Sequence, residues 1–342
     1  MRDAYELWSV ARFSSAQGRE EAVVNNGHTT ILATVLLLLS QSAFADSPVT
    51  LVPGESHLLI KINGSDFAKY VWNDPSVKRT YFAHIRSPKG VQVTRSFPPI
   101  AGRDATDHAT MHPGLWLAFG DISGADFWRN KGVVRHAGFV EDPVTGFHGG
   151  RFAVKNLYQT DGKTICEEVC RIRLRVTRHG YLIEWESKFS GAAFTFGDQE
   201  EMGLGIRVAT GLSVAEGGEI TSSEGRKNEK QVWGRQADWC DYSGRGAGIT
   251  LVPDPKNFRP SWFHARDYGL LVANPFGRQA FTKGEPSRVV VKRGETLTLR
   301  FGVLVHDDDL DRHAAYQDFL QTGSGNPITF AAWYIGWLDS LP

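Results

Sequence analysis

The sequence predicts an all-β protein: one large antiparallel β-sandwich with one late α-helix. Three observations predict it. Apolar and polar residues alternate at period two in many short runs, the pattern of strands with one face buried. Turn residues separate the runs, with 36 Gly and 15 Pro in 342 residues. No repeat of fixed period and no low-complexity linker breaks the block, so roughly fifteen or more strands belong to one body.

In chain order, residues 58–62 and 68–72 are the first strands, and Asn73-Asp74-Pro75 is a turn. Residues 81–85 and 91–94 read as a hairpin around Ser87-Pro88-Lys89-Gly90. Residues 104–114 read as a loop, Leu115–Phe119 as a buried strand, and Gly124–Trp128 as part of a second loop. Residues 131–140 and 147–157 are strands split by 141–146. Between Val169 and Thr177, Ile172, Leu174 and Val176 share one face and Arg171, Arg173 and Arg175 the other. His179-Gly180 turns this strand into 181–189, where Glu184 and Glu186 stand opposite the arginines. We read that face as solvated and ion-paired, not as a polyanion site.

Strands continue at 203–209, 231–236, 248–252, 269–273, 288–292 and 296–301, with a polar loop from Thr210 to Glu229. The helix opens on acidic Asp307–Asp311 and carries Leu310, Ala314, Phe319 and Leu320 at helical spacing, with Gly323 ending it. The domain reading is therefore 1–45 as extension and export signal, 46–321 as sandwich, and 322–342 as an aromatic-rich tail.

The apolar run 30–39 is followed by Ala43-Phe44-Ala45, which fits the small-x-small cleavage rule. This predicts export to the periplasm or beyond, with cleavage after Ala45, an uncleaved anchor being the alternative. The run is short for a membrane-spanning helix. Lys+Arg and Asp+Glu both number 38, which excludes the basic excess of a nucleic-acid binder or a polybasic membrane-surface protein. Three cysteines cannot form a complete intrachain set, and Cys166 and Cys170 are either a local bridge or two free thiols.

The densest functional signal runs from Asp104 to Asn130. It holds Asp107, His108, His112, Trp116 and Trp128. Pro113 biases His112 away from the α region, so the H-x3-H spacing predicts a loop rather than one helical face. A second group is Asp254, Asn257, Arg259, Trp262, His264 and Arg266, with Asp241 in the preceding Asp238–Gly246 stretch. Indole faces stack on sugar C–H surfaces, and Arg, His, Asn and carboxylate groups hydrogen-bond ring hydroxyls. A paired His and carboxylate can act as base and acid.

These residues predict a polar-aromatic cleft. His108, His112 and Asp107 form its centre, with His84 and His264 as acid/base partners. Arg207, Arg259 and Arg266 are clamps, and Trp116, Trp128 and Trp262 are platforms. Gly203-Leu204-Gly205 lacks the Lys-Ser/Thr of a phosphate loop, and Gly-x-Ser-x-Gly is absent. No cofactor is identified.

Arg79-Thr-Tyr-Phe82, Val93-Thr-Arg95, Asp107-His108, His112-Pro-Gly-Leu-Trp116, Asp126-Phe-Trp128, Gly203-Leu-Gly-Ile-Arg207, Trp239-Cys-Asp-Tyr-Ser-Gly244 and Asn274-Pro-Phe-Gly277 occur in this order. Together they resemble the PmoA-like family, often labelled "methane oxygenase PmoA", over about residues 55–320. Methane monooxygenase subunits are polytopic membrane proteins, and here only residues 30–39 are strongly apolar, so we expect no methane oxidation. The strand-rich layout is also similar to galactose-mutarotase-like supersandwiches. That resemblance implies sugar chemistry by His and carboxylate groups. The expected function is an exported carbohydrate-active or carbohydrate-binding protein. The alternatives are a Cu or Zn protein built on His108, His112 and His84 or His264, and a non-catalytic envelope module.

Overall fold

The computed structural model describes residues 47–147, 149–308 and 310–322. The export signal, its cleavage point and the aromatic tail from Gly323 lie outside these residues. The described residues begin with β1 (Val49–Pro53), β2 (His57–Ile62), β3 (Ser65–Val71), β4 (Tyr81–Ala83) and β5 (Leu115–Phe119). A meander of long strands comes next: β6 (Val133–Gly146), β7 (Gly149–Thr160), β8 (Lys163–Thr177) and β9 (Gly180–Ser190). Then come β10 (Phe194–Phe196), β11 (Met202–Arg207), β12 (Glu219–Ser222), α1 (Asn228–Val232), β13 (Arg235–Gln236), β14 (Cys240–Gly244) and β15 (Ala247–Pro253). The described residues close with β16 (Trp262–Arg266), β17 (Leu270–Asn274), α2 (Arg278–Thr282), β18 (Val289–Val291), β19 (Leu297–Asp307) and α3 (Arg312–Thr322).

Among the described residues the strands form two large antiparallel sheets. The nine-stranded sheet runs β1-β2-β3-β4-β5-β11-β17-β16-β13, and the eight-stranded sheet runs β12-β14-β15-β19-β9-β8-β7-β6. Strands β10 and β18 form a separate ribbon. The all-β sandwich expected from the alternating pattern is the fold observed.

Leu58, Phe82, Leu115, Leu204 and Leu271 on the first sheet face Ile172, Ile183, Trp185, Ile249 and Val303 on the second in one core. Each such side chain, fully buried, contributes about 1.5–3 kcal/mol. A second apolar layer lies on the other side of the nine-stranded sheet: Tyr81, Ala83, Trp116, Trp128, Leu270 and Val272. The arginine face of β8 pairs across strands as expected, with Arg171 near Glu186 at 3.6 Å and Arg175 near Glu184 at 3.4 Å.

Several local expectations change. Strand β6 continues through 141–146, past Pro143, because it is the edge strand and the missing N–H breaks no ladder there. Residues 231–236 are not one strand: α1 ends at Val232 and β13 is two residues long. The late helix starts at Arg312, directly after the acidic run and not within it, because Asp307 is still in β19, and Asp311 Oδ1 accepts the Ala314 N–H at 3.0 Å. Residues 262–266, not among the strands read from the sequence, are strand β16. Cys166 and Cys170 are buried free thiols on one strand. Four residues at a rise of about 3.3 Å separate their Cα atoms by roughly 13 Å, about twice what a disulfide spans.

Candidate functional site

Strand pairing fixes which side chains share the outer face of the nine-stranded sheet. Trp116 pairs with Gly205, Gly205 with Val272, and Val272 with His264. One row therefore runs from Trp116 to His264 across three strand spacings, about 14 Å. The next row joins Arg207, Leu270 and Arg266. Gly205 leaves room for the indoles: a Cβ there would lie 3.0 Å from Trp116 Cζ2 and 3.3 Å from Trp128 Cη2. Both indoles are buried in this layer, so they are not open platforms for a ligand, contrary to the expectation from sequence. Trp262 is buried too.

Above this layer sits the irregular 104–114 segment, and buried arginines shape it. Arg95 Nη1 donates to the carbonyls of Ala105 at 2.8 Å and Asp107 at 2.7 Å. Its Nη2 donates to His112 O at 3.1 Å and His108 O at 3.4 Å. Arg79 donates to Trp128 O at 3.0 Å, to Asn130 Oδ1 at 2.9 Å and to Met111 O. Desolvation lowers both guanidinium pKa values, Arg79 to about 9 and Arg95 to about 10, so both remain charged at neutral pH. Neither residue was assigned to the site from sequence, although both lie in motifs of the resemblance. Their targets are backbone carbonyls, which leave no mark in side-chain spacing.

Asp107 and His108 project from this loop. Arg207, itself buried, grips Asp107 through Nη1–Oδ2 at 2.8 Å and Nη2–Oδ1 at 2.7 Å. Burial alone would raise the Asp107 carboxyl. Hydrogen bonds from Arg207 and His108, with the Arg207 and Arg95 charges, outweigh it and hold the group well below the usual range. A carboxylate only accepts, so His108 Nδ1 carries the proton in its 2.8 Å contact with Asp107 Oδ2. That leaves Nε2 as the ring nitrogen outside this pair. The His108 side chain is 45% exposed, Asp107 is 41% exposed, and His108 has a left-handed φ of 49°. Such strained residues gather where a loop is held for function.

His108 belongs to a ring stack. Its centroid is 6.1 Å from Tyr268 and 4.9 Å from His112, and His112 is 5.2 Å from Trp116. The His112 N–H donates to His108 O at 2.9 Å, closing a single helix-like turn. The segment is a loop without helix, as expected, but this one turn still stacks the two histidines, because Pro113 constrains the exit from the turn and not the turn itself. Stacked, near-parallel rings hold their in-plane lone pairs side by side and do not converge on one ion. Among the described residues no group of three His, Cys, Asp or Glu side chains is placed to hold a metal.

His264 anchors the other half of the face. It donates from Nδ1 to Glu200 O at 3.2 Å, and its Nε2 lies 3.6 Å from Glu200 Oε2. Arg266 bridges Glu229 at 2.9 Å and Glu200 at 3.2 Å. Tyr268, 36% exposed, lies between the halves: its ring takes the Arg207 guanidinium at 4.4 Å, and the charges of Arg207, Arg266, Asp107 and Glu229 all act on its hydroxyl. Sequence reasoning missed Tyr268 and Glu200, because neither stands in a recognisable spacing with its partners.

The remaining sequence candidates lie elsewhere. Asn257 exchanges two hydrogen bonds with the Arg300 backbone on β19, and Asp254 caps Lys256 N at 2.7 Å, so both serve the eight-stranded sheet. Arg259 ties Ser287 Oγ at 2.6 Å to Pro275 O at 3.3 Å. Asp241 is buried against His306 at 2.7 Å. His84 is surrounded by Lys69, Arg86 and Arg103 and hydrogen-bonds the Phe97 backbone. The expected joining of the 108–112 and 254–264 groups is thus divided: Trp262, His264 and Arg266 share the sheet face with Trp116, while Asp254 and Asn257 do not.

Two buried histidines set a pH dependence. Burial, then the Arg207, His108, Arg79 and Arg95 charges, push His112 down to about 2. Burial and Arg266 push His264 down to about 4. Both are depressed below an unfolded value near 6.5, so the stability they contribute is present above about pH 6.5 and lost as pH falls. Each contributes a slope of up to about 1.4 kcal/mol per pH unit below that point. Urea unfolding between pH 7 and 4.5 is expected to show this acid limb, and His264→Gln to flatten it. An unchanged slope in the variant would remove His264 as a source.

The profile of DUF6807, described as a family of unknown function, matches residues 57–319. No curated protein matches the chain. Among solved structures, a mutant of heparan sulfate lyase HepC from Pedobacter heparinus is 8% identical with a TM-score of 0.41, covering 82% of this chain and 42% of that one. This chain thus spans less than half of the lyase. A 4-alpha-glucanotransferase from Thermococcus litoralis is 8% identical with a TM-score of 0.33, covering 78% of this chain and 38% of that one. A galactose mutarotase related enzyme from Lactobacillus acidophilus is 10% identical with a TM-score of 0.28, covering 77% and 98%. Likenesses this distant carry no argument about activity.

Proposed function

The chain belongs to DUF6807, a family of unknown function, and we propose from its own side chains that it binds and processes a carbohydrate on the outer face of the nine-stranded sheet. The observation that carries this reading is the oriented Asp107–His108 pair. Arg207 fixes the carboxylate, the carboxylate fixes the His108 tautomer, and Nε2 is left outside the pair on a half-exposed side chain. An imidazole held this way takes a proton from a hydroxyl or returns one to it, the acid/base step of sugar chemistry. Tyr268 supplies an exposed aromatic edge beside it. Arg266 and Glu200, about two strand spacings away, supply a second polar group for a ring hydroxyl.

Export through the 30–45 segment, release after Ala45 and a sandwich domain of 46–321 belong to the same proposal. So does the finer family placement with PmoA-like proteins, which rests on the ordered motifs. Among the described residues no helix is long and apolar enough to cross a membrane.

A glycan array and a sugar-turnover screen test the function. Wild type is expected to respond to at least one sugar class, and His108→Ala to lose about 10²–10⁴-fold in turnover, the usual contribution of a general acid/base. Equal turnover by wild type and His108→Ala, or silence toward every sugar, would count decisively against the reading.

A further inference from the structure

Charge is distributed unevenly across the outer face of the nine-stranded sheet. Toward β16 the cations are paired: Arg207 holds Asp107, and Arg266 holds Glu229 and Glu200. Toward β3 they are not. Lys69 stands opposite Ala83 of β4 and alternates with Val71, and both Ala83 and Val71 belong to the outer layer with Trp116. Asp66, the carboxylate on the same strand, is taken by Lys61 at 3.1 Å. Among the described residues the Lys69 ammonium has neither an ion pair nor a hydrogen bond.

Three more basic groups gather beside it. His84 leaves β4 with a left-handed φ of 56° and hydrogen-bonds the Phe97 backbone. Arg86 donates to a neutral carbonyl, Gly90 O, at 3.0 Å. Arg103, its side chain 60% exposed, donates to Ser96 Oγ and comes no nearer than 3.6 Å to Asp104. That Asp104 oxygen already accepts the Ile100 N–H at 2.9 Å. Burial, then the Lys69, Arg86 and Arg103 charges, push His84 below its ordinary value, so the charges acting most strongly on this ring are all positive. In a chain whose formal charges cancel, a local excess of this kind concentrates anions.

Backbone pairing sets this group beside the Asp107–His108 loop. Val93 N donates to Ile85 O and Ala209 N to Val93 O, so segments 84–86, 92–95 and 207–209 lie side by side. Two strand spacings, about 10 Å, separate the first backbone from the last. Arg103 directly precedes the 104–114 loop.

We propose that Lys69, His84, Arg86 and Arg103 form a subsite for an anionic group, a carboxylate or a sulfate ester, on the sugar held at the Asp107–His108 pair. The inference rests on the sugar reading and adds the charge of the substrate. The guanidinium forks match the oxygens of either anion, and Lys69 supplies a point charge.

Titration calorimetry at constant ionic strength tests it with three tetrasaccharides: neutral chitotetraose, hyaluronan for the carboxylate and keratan sulfate for the sulfate ester. Wild type is expected to bind at least one anionic glycan about tenfold or more tighter than chitotetraose, the gain from one charge-assisted contact, and the tighter one identifies the anion. Lys69→Gln, which breaks no contact of the folded chain, and Arg103→Gln at the exposed rim are each expected to cut that preference severalfold. Equal affinity for neutral and anionic glycans, or a preference that both variants retain, would overturn the subsite and leave the sugar reading standing. Inorganic sulfate bound by wild type and lost in Lys69→Gln, with every sugar silent, would support the anion site and sink the sugar reading. No binding of sulfate or of any of the three glycans would overturn the proposal.

Discussion

Replacing Asp241 by alanine is expected to lower the unfolding free energy by about 3–5 kcal/mol, the largest stability loss of any single polar substitution proposed for this chain. Asp241 and His306 are both fully buried, with Oδ1 and Nε2 2.7 Å apart. Thr250 donates to the same oxygen at 2.7 Å, and Arg312, at the start of α3, lies 2.8 Å from Oδ2. His306 also donates from Nδ1 to Asp307 O at 2.8 Å, so both ring nitrogens carry protons. Burial would lower the His306 pKa, but Asp241 outweighs it and the value is raised. Burial would raise Asp241, but His306, Arg312 and Thr250 hold it lowered.

Removing the carboxylate leaves an imidazolium and a guanidinium facing each other without a counter-charge. Urea unfolding at pH 6 measures the loss, and less than about 1 kcal/mol would mean the pair is easily replaced by water. The pair's contribution is complete between roughly pH 4 and 6.5. It is lost above, as pH rises through the raised His306 value, and below, as pH falls through the lowered Asp241 value.

The second large effect is expected at Arg95. Arg95→Leu keeps a buried apolar stem and removes the fork that gathers four carbonyls between Ala105 and His112. Each buried carbonyl left without a donor costs about 1–3 kcal/mol, and because the loop is partly open some will find water, so a total near 3 kcal/mol is expected. Hydrogen exchange locates it: amides in 105–112 should exchange faster while those of β8 and β9 keep their protection. Sugar binding should fall with the loop. If the loop amides stay as protected as before, Arg95 does not shape the site.

The sandwich itself was legible in its long strands, whereas β1 and β12, the latter inside the stretch read as a polar loop, were missed. In β8 and β9 the period-two pattern, the Gly180 turn and the Arg-Glu pairing all follow from the sequence. Strands β14 and β16 were not legible as strands. Both faces of β16 are buried, Phe263 and Ala265 inward and Trp262 and His264 outward, so the alternation disappears. The site was legible in part. Two histidines, an aspartate and tryptophans close together marked the 104–128 region.

What sequence could not show is long-range pairing. Asp107 and Arg207 are 100 residues apart, and Arg95 acts on main-chain atoms. Nor did it show depth. Trp116 and Trp128 look like platforms in the sequence, but Gly205 opens a space beneath the loop that swallows both rings.

The most direct test is a crystal structure of the protein soaked with a library of mono- and disaccharides. A sugar hydroxyl within about 3.2 Å of His108 Nε2, with the ring alongside Tyr268, is the predicted result. A sugar bound on any other surface, with the 105–112 loop bare in every soak, would contradict the account.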